Sequence, residues 1–472
     1  MNSARRPRAC TPVVIAAFVC AACGDQPAGV SRPLAPEVVS IEIAENPENV
    51  LSAIVAVRAR NAVSAAVQIH VTGSATDSDE ITPAVPLVDG VGAIPVLGLF
   101  PERRYELRAI VYGAGGSTLS TAGSMTTRPL PADLPTYATS GDAPSPGFVV
   151  FGAGMYGVVI NNSGRVVWYR RFSDGPGLNF MAEPSGHYVA RPETSGGAPP
   201  HHWVELDPLG NETRTFSCAH HLEPRFHDLV EEVGGGYWIM CDDTRTMNLS
   251  AFGGVAAAAV TGTVVQHVGA DGGLLFEWSV FDHFDIADLE PAALTGTAVN
   301  WTHGNALDVD ASGKLLVSFR NLGEITKIDV PTGNVLWRMG GRRNEFTFFD
   351  TPTPAFARQH GMRAFGPRTL SILDNLGSPA ESRAERYTVD EGARTARLVR
   401  SYGASPGVVA LLGGSVQDAA NGRTLVAYGP AGRLEEYDES GRVVWRIEGN
   451  AGYIFRAQRI GSLYAPGVGT AR

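Results

Sequence analysis

The sequence predicts an all-β protein, a small β-sandwich followed by a six-bladed β-propeller, and three observations predict it. Glycine (55) and proline (31) are abundant while charged residues make up only 18% of 472 residues, a balance that suits many short strands joined by tight turns. The segments "SAIVAVRAR", "AAVQIHVTG" and "YELRAIVYG" alternate apolar with polar residues, as half-buried strands do. Past residue 137 one phrase recurs six times: an apolar strand, an Asp/Asn/Ser–Gly turn, and a second apolar strand that often ends in Trp. Its turn glycines are Gly164, Gly210, Gly273, Gly333, Gly392 and Gly441, spaced 46 to 63 residues apart. Such turns tolerate positive φ, so each phrase reads as a β-hairpin, and an interval of four-strand size repeated six times reads as a propeller.

Taken in order, residues 1–22 read as an export signal. Arg5, Arg6 and Arg8 precede the short apolar run "TPVVIAAFVC". The run "CAAC" resembles a bacterial lipobox, which makes Cys23 the expected lipidation site and a membrane anchor, and the protein a periplasmic or cell-surface lipoprotein. A plain secretory signal is the alternative. Residues 23–36 form a tether. Residues 37–128 are the expected sandwich, fibronectin III-like because "LGLFPERRYELRA" places Tyr105 as a corner tyrosine whose hydroxyl bonds back to the backbone. Residues 129–136 are an expected stiff, proline-rich linker, and 137–465 the propeller. A net charge of −10 with no basic cluster in the body excludes nucleic acid as a partner. Of five cysteines only Cys218 and Cys241 lie in the body; in an exported protein they are expected to pair, with a metal site as the lesser alternative.

A second phrase precedes each hairpin: a short polar motif, a strand, and a Gly-containing turn. In a propeller the first strand of each blade lines the central channel, so equivalent positions far apart in sequence converge. Three blades place a histidine in this slot, His227, His303 and His360, and another places Gln417 and Asp418. Arg320 ends the strand after His303 and returns toward the same mouth. Three imidazoles and a guanidinium are read as a cationic pocket for a small oxyanion. Asn305, two residues from His303 and on the same strand face, is expected to add an oxygen contact to the bound substrate. His70 falls in the sandwich, and His187, His201, His202, His267 and His283 fall on turns or outer segments, where a structural role is expected. The insert from Val280 to Val299 is expected to shape the channel mouth.

The stretches "NWTHGNALDVDASGKLLVSFRNLGEITKIDVPTGNVLWRMGG", "FARQHGMRAF", "LSILDN" and "GGSVQDAANGRTLVAYG" resemble the bacterial arylsulfate sulfotransferase (ASST) family, best over residues 300–465. The resemblance implies transfer of a sulfuryl group from an aryl sulfate donor to a phenolic acceptor, without PAPS, through a sulfohistidine intermediate. His360 would accept the group, while His227, His303 and Arg320 bind and polarise it, with no metal or organic cofactor. Gly361 departs from the family pattern, which often has a polar residue there. Two other classes fit the residues: a metal-dependent propeller hydrolase with His227, His303 and Asp228 as ligands, and a non-catalytic ligand-binding surface lipoprotein.

Overall fold

The computed structural model describes residues 32–74, 79–192, 201–377, 381–419 and 421–467. The expected signal peptide and Cys23 lie outside the described residues. Among those described, no helix is long and apolar enough to cross a membrane.

The chain is all-β. Toward the N-terminus, Glu37–Glu45, Ser52–Arg60 and Val91–Leu97 form one antiparallel sheet, and a second is built around Ser64–Val71 and Arg104–Gly113. Alternate residues of both sheets, among them Val55, Val57, Val67, Ile94, Leu107 and Val111, fill one core between them. Tyr105 is buried, and its hydroxyl accepts the backbone N–H of Phe100 at 2.7 Å, the role expected of a corner tyrosine.

Six further antiparallel sheets follow. Sheet I comprises Ala457–Ile460, Phe148–Ala153, Tyr156–Asn161 and Val166–Arg171; sheet II runs from Phe180–Ala182 to Glu212–Phe216. Sheet III runs from Glu223–Glu231 to Leu274–Ser279, sheet IV from Gly304–Val309 to Val335–Gly340, sheet V from His360–Ala364 to Thr395–Gly403, and sheet VI from Ser415–Asp418 to Val443–Ile447. Each of the six hairpin glycines named from the sequence falls between the third and fourth strand of one of these sheets. Three of the tryptophans that end hairpins tie one sheet to the next, while Trp337 Nε1 of sheet IV has no partner among the described residues. Trp168 of sheet I donates to Pro208 O in the sheet II hairpin at 2.7 Å, and Trp278 of sheet III to Gly333 O in that of sheet IV at 3.1 Å. Trp445 of sheet VI donates to Asn162 O of sheet I at 2.9 Å, so the series returns to its start.

The first strands are linked in the same cyclic order. A side-chain oxygen on or just after one strand accepts a backbone N–H of the next: Gln458 from Ala182, Glu183 from Glu231, Asp228 from Leu307, Asp308 from Ala364, and Gln417 from Arg459. Sheets V and VI meet differently, by close backbone approach at Gly361. This residue has φ +58°, and a Cβ there would lie 2.8 Å from Ser415 Cα. Any side chain at 361 would displace sheet VI, so glycine has a steric cause here.

The proline-rich segment 129–136 is held against the fold: Leu134 is buried and Leu130 packs beside it in a core shared with Val50, Leu51 and sheets I and VI. The insert Val280–Val299 is mostly exposed and is anchored by Val280, Leu289 and Leu294, which are buried beside Trp278 and Phe319; the following residue, Asn300, reaches His303. The exposed turn at Arg342–Arg343 is tied to the insert, since Arg343 binds Asp288 and Arg342 binds Glu290. Cys218 and Cys241 form a disulfide with Cα atoms 6.2 Å apart.

Sheet V also buries a carboxyl group without a cationic partner among the described residues. Glu385 accepts the Tyr387 hydroxyl at 2.7 Å, and burial, reinforced by nearby Asp374, pushes its pKa up to about 8. A raised folded-state value means stability that is complete below the unfolded value near 4.5 and lost as pH climbs toward 8. Glu385→Gln is therefore expected to leave stability unchanged at pH 5 and raise it by roughly 1–3 kcal/mol at pH 8, read by urea denaturation at both pH values.

Candidate active site

The three slot histidines meet. One ring nitrogen from each of His227, His303 and His360 lies within 4.8 Å of the others. His227 is on the first strand of sheet III, His303 immediately precedes that of sheet IV, and His360 opens that of sheet V. The His227 and His303 rings are edge-to-face with Nε2 atoms 3.2 Å apart, and the His227 and His360 centroids are 6.3 Å apart. His303 holds φ +53°, a strained value for a non-glycine residue that aims its ring at the cluster.

Hydrogen bonds assign the tautomers. His360 Nδ1 faces two acceptors, Asn375 Oδ1 at 2.8 Å and Arg358 O at 3.0 Å. Asn375 cannot present its nitrogen instead, because Nδ2 is held by Ala410 O at 2.7 Å and Gly413 O at 3.0 Å. Nδ1 therefore carries the proton, and Nε2 keeps a free lone pair. At His303, Asn300 Nδ2 donates to Nδ1 at 2.8 Å, which leaves the Nε2 proton to point at His227 Nε2.

The imidazoles are neutral near pH 7, as attack by His360 requires. Burial, opposed by the Asn375 bond and aided by Arg320, lowers His360 to about 3. Burial with Arg225 and Arg320 lowers His303 to about 2, and burial with Arg225 and His303 holds His227 well below its ordinary value. The positive charge resides on guanidinium groups. Arg320 N–H donates to His303 O at 3.0 Å, which sets Arg320 directly opposite His303 on the neighbouring strand. Its Nη2 donates to Leu411 O at 3.1 Å, and its buried Nε has no partner among the described residues.

Beneath the rings lies a charge cluster that the sequence reading missed. Asp228 is buried and accepts from Arg363 at 2.9 and 3.1 Å and from Arg456 at 2.6 Å, as well as from Leu307 N. Burial alone would raise its pKa, but Arg363 and Arg456 hold it below the usual carboxylate range. Arg363 also interacts with the carboxyl of Asp308, so the cluster joins two guanidiniums to two carboxyl groups. Burial draws Arg456 down to about 10, which leaves it a cation at neutral pH. Arg456 also donates to Asn305 O at 2.9 Å. An arginine inside the strand-like run "YIFRAQRI" was the available signal. Asp228 is thus fully occupied and is not free to bind a metal beside His227 and His303.

Asn305 is buried and donates through Nδ2 to Gln359 O at 2.6 Å, one residue before His360. Its donor holds the His360 strand, and its Oδ1 has no partner among the described residues. The histidines outside the cluster are mostly paired elsewhere: His187 with Glu205, His201 with Glu223, His220 with Glu277 and His267 with Glu232.

Comparison with known proteins gives one family. Residues 218–450 match the model described as Arylsulfotransferase (ASST). No curated protein matches the chain. Among solved structures, a Bacteroides caccae protein of unknown function aligns at 14% identity over 66% of this chain and 98% of its own, with a TM-score of 0.43. A catalytically inactive virginiamycin B lyase from Staphylococcus aureus aligns at 11% identity over 65% and 87%, with a TM-score of 0.37.

Proposed function

From the membership of residues 218–450 in the arylsulfotransferase (ASST) family, we propose that the chain is a PAPS-independent aryl sulfotransferase working through sulfohistidine at His360. The observation that carries this reading is the free lone pair on His360 Nε2, neutral and fixed in one tautomer by Asn375 and Arg358. In this reading the six sheets are the blades of a propeller over residues 137–465, and residues 37–128 are the fibronectin III-like sandwich. Residues 1–22 are a signal for export, and Cys23 carries a lipid anchor.

In the first step His360 Nε2 attacks the sulfur of an aryl sulfate, a N–S bond forms, and the S–O bond to the ring breaks with the electron pair leaving on the phenolate oxygen. The ring becomes positively charged, and the two acceptors on Nδ1–H meet that charge without rearranging. Arg320 faces the sulfuryl oxygens, and His303 turns its Nε2–H from His227 toward them, which frees His227 Nε2 to accept a proton. In the second step a phenol gives its proton to the His227–His303 pair, its oxygen attacks sulfur, and the N–S bond breaks to restore His360. Asn305 serves this chemistry by holding the Gln359–His360 backbone. Exposure to 4-nitrophenyl sulfate without acceptor is expected to add one SO3 group to the peptide bearing His360, discharged on adding phenol; an unmodified His360 with continuing turnover would reject the intermediate.

One observation favours a second reading. Three neutral imidazoles within 4.8 Å of one another suit a divalent metal, and a metal-dependent hydrolase could be built on them. The guanidiniums of Arg320 and Arg456 nearby oppose a cation. Retention of stoichiometric metal by the purified protein, with activity abolished by EDTA and restored by metal, would favour this reading.

A further inference from the structure

Arg358 precedes the Gln359–His360 pair, holds φ +58°, and is exposed. Its Nη1 donates to Asn321 Oδ1 at 3.0 Å, and Arg320 Nη1 donates to the same oxygen at 3.0 Å. Two guanidiniums thus share one neutral acceptor at the edge of the histidine cluster. Among the described residues neither meets a carboxylate. Like charges this close repel, and Arg358 helps burial lower the pKa of Arg320. Such a pair is costly unless an anion visits both members. The sulfuryl group, bound by Arg320, accounts for one.

An apolar surface adjoins the pair. Leu411, whose carbonyl holds Arg320, is 56% exposed, and Leu412, Val409 and Tyr453 are 42%, 49% and 36% exposed. The Tyr453 ring meets Phe455 edge-on at 6.3 Å, and Phe455 lies 6.3 Å from the His360 ring and 5.7 Å from that of His227. An aromatic path therefore leads from the imidazoles to Tyr453, which abuts Gly413 at the end of the Leu411–Leu412 stretch, and Arg358 joins this edge through Asn321 and Arg320.

Resting on the sulfotransferase reading, we propose that this mouth selects aryl groups bearing a second acidic substituent: the ring lies on Tyr453 and the leucines, and Arg358 takes the carboxylate. The acidic group distinguishes the substrate from a plain phenol. Both the leaving and the arriving aryl group use the same place, in turn.

The test compares 3-(4-hydroxyphenyl)propanoate with its primary amide, which keeps the ring and loses the charge. With 4-nitrophenyl sulfate as donor, the acid is expected to exceed the amide in kcat/KM by about tenfold, and Arg358→Gln to collapse that ratio toward one. Direct calorimetric titration of both compounds onto the whole chain supplies a readout independent of turnover. Tighter binding of the acid, lost in Arg358→Gln, supports the proposal even if no sulfuryl transfer is detected, in which case the function reading alone fails. Equal binding of acid and amide to the unaltered protein, or an acid preference that survives Arg358→Gln, overturns it.

Discussion

His360→Asn is expected to abolish sulfuryl transfer from 4-nitrophenyl sulfate to phenol, with a loss on the order of 10⁴- to 10⁶-fold, the scale seen when a nucleophile is removed from a preorganised site. Asparagine offers no comparable lone pair, whereas Arg320, His227 and His303 remain to bind the sulfuryl group. Donor binding should therefore persist while turnover and the SO3 adduct disappear. Stopped-flow release of 4-nitrophenolate, with a near-UV circular dichroism check on the fold, makes the measurement. Unaltered turnover would remove His360 as the nucleophile. The pH dependence of the unaltered protein follows from the same ring. His360 must be unprotonated to attack, and its value of about 3 keeps it so across the neutral range. The acid limb of kcat/KM should not show the midpoint near 6.5 that an ordinary histidine gives. Stability behaves differently. The three depressed values mean stability that is present above the unfolded value near 6.5 and lost as pH falls below it, by up to about 1.4 kcal/mol per pH unit for each ring. Loss of activity in acid should therefore track unfolding.

Asp228→Ala is expected to destabilise the chain by about 3–5 kcal/mol, the usual cost of removing one partner from a buried ion cluster. The carboxylate is the shared counter-charge for Arg363 and Arg456, and it also caps Leu307 N. Its loss leaves two buried cations facing each other between sheets I, III, IV and V. Replacing all three with Asp228→Leu, Arg363→Met and Arg456→Met should recover most of that stability, because apolar groups need no counter-charge. Equilibrium urea denaturation of both variants distinguishes this from a general packing defect. If Asp228→Ala were as stable as the parent, the cluster would not be the keystone that its burial implies.

These two predictions draw on residues of unequal visibility. His227, His303 and His360 could be found because each sits at the same place in a repeated phrase, and repetition turns sequence position into spatial position. The hairpin glycines were legible for a local reason, since a tight turn at positive φ writes its demand into two or three adjacent residues. The ion cluster had no such signature. Asp228, Arg363 and Arg456 come from three different sheets, and nothing in the neighbourhood of one points to the others. How far burial lowers the imidazole pKa values was hidden for a related reason: a pKa depends on how much protein surrounds a ring, and no short stretch reports that. Asn375 stood in a quoted motif, "LSILDN", yet its role appears only when its amide is seen locked between Ala410 and Gly413. Residues 129–136 read as a stiff linker because prolines dominate the composition, and the packing of two leucines among them showed only in the fold.

The strand Ala457–Ile460 belongs to sheet I, whose other strands are made more than 280 residues earlier. Arg456, just ahead of it, supplies one of the charges beneath the imidazoles. A growing polypeptide can therefore form all three histidine-bearing segments and still lack a finished reaction centre. On the sulfotransferase reading, the centre is complete only once Arg456 and the strand Ala457–Ile460 lie beside the rest of sheet I, so a chain cut before Arg456 is expected to be inactive.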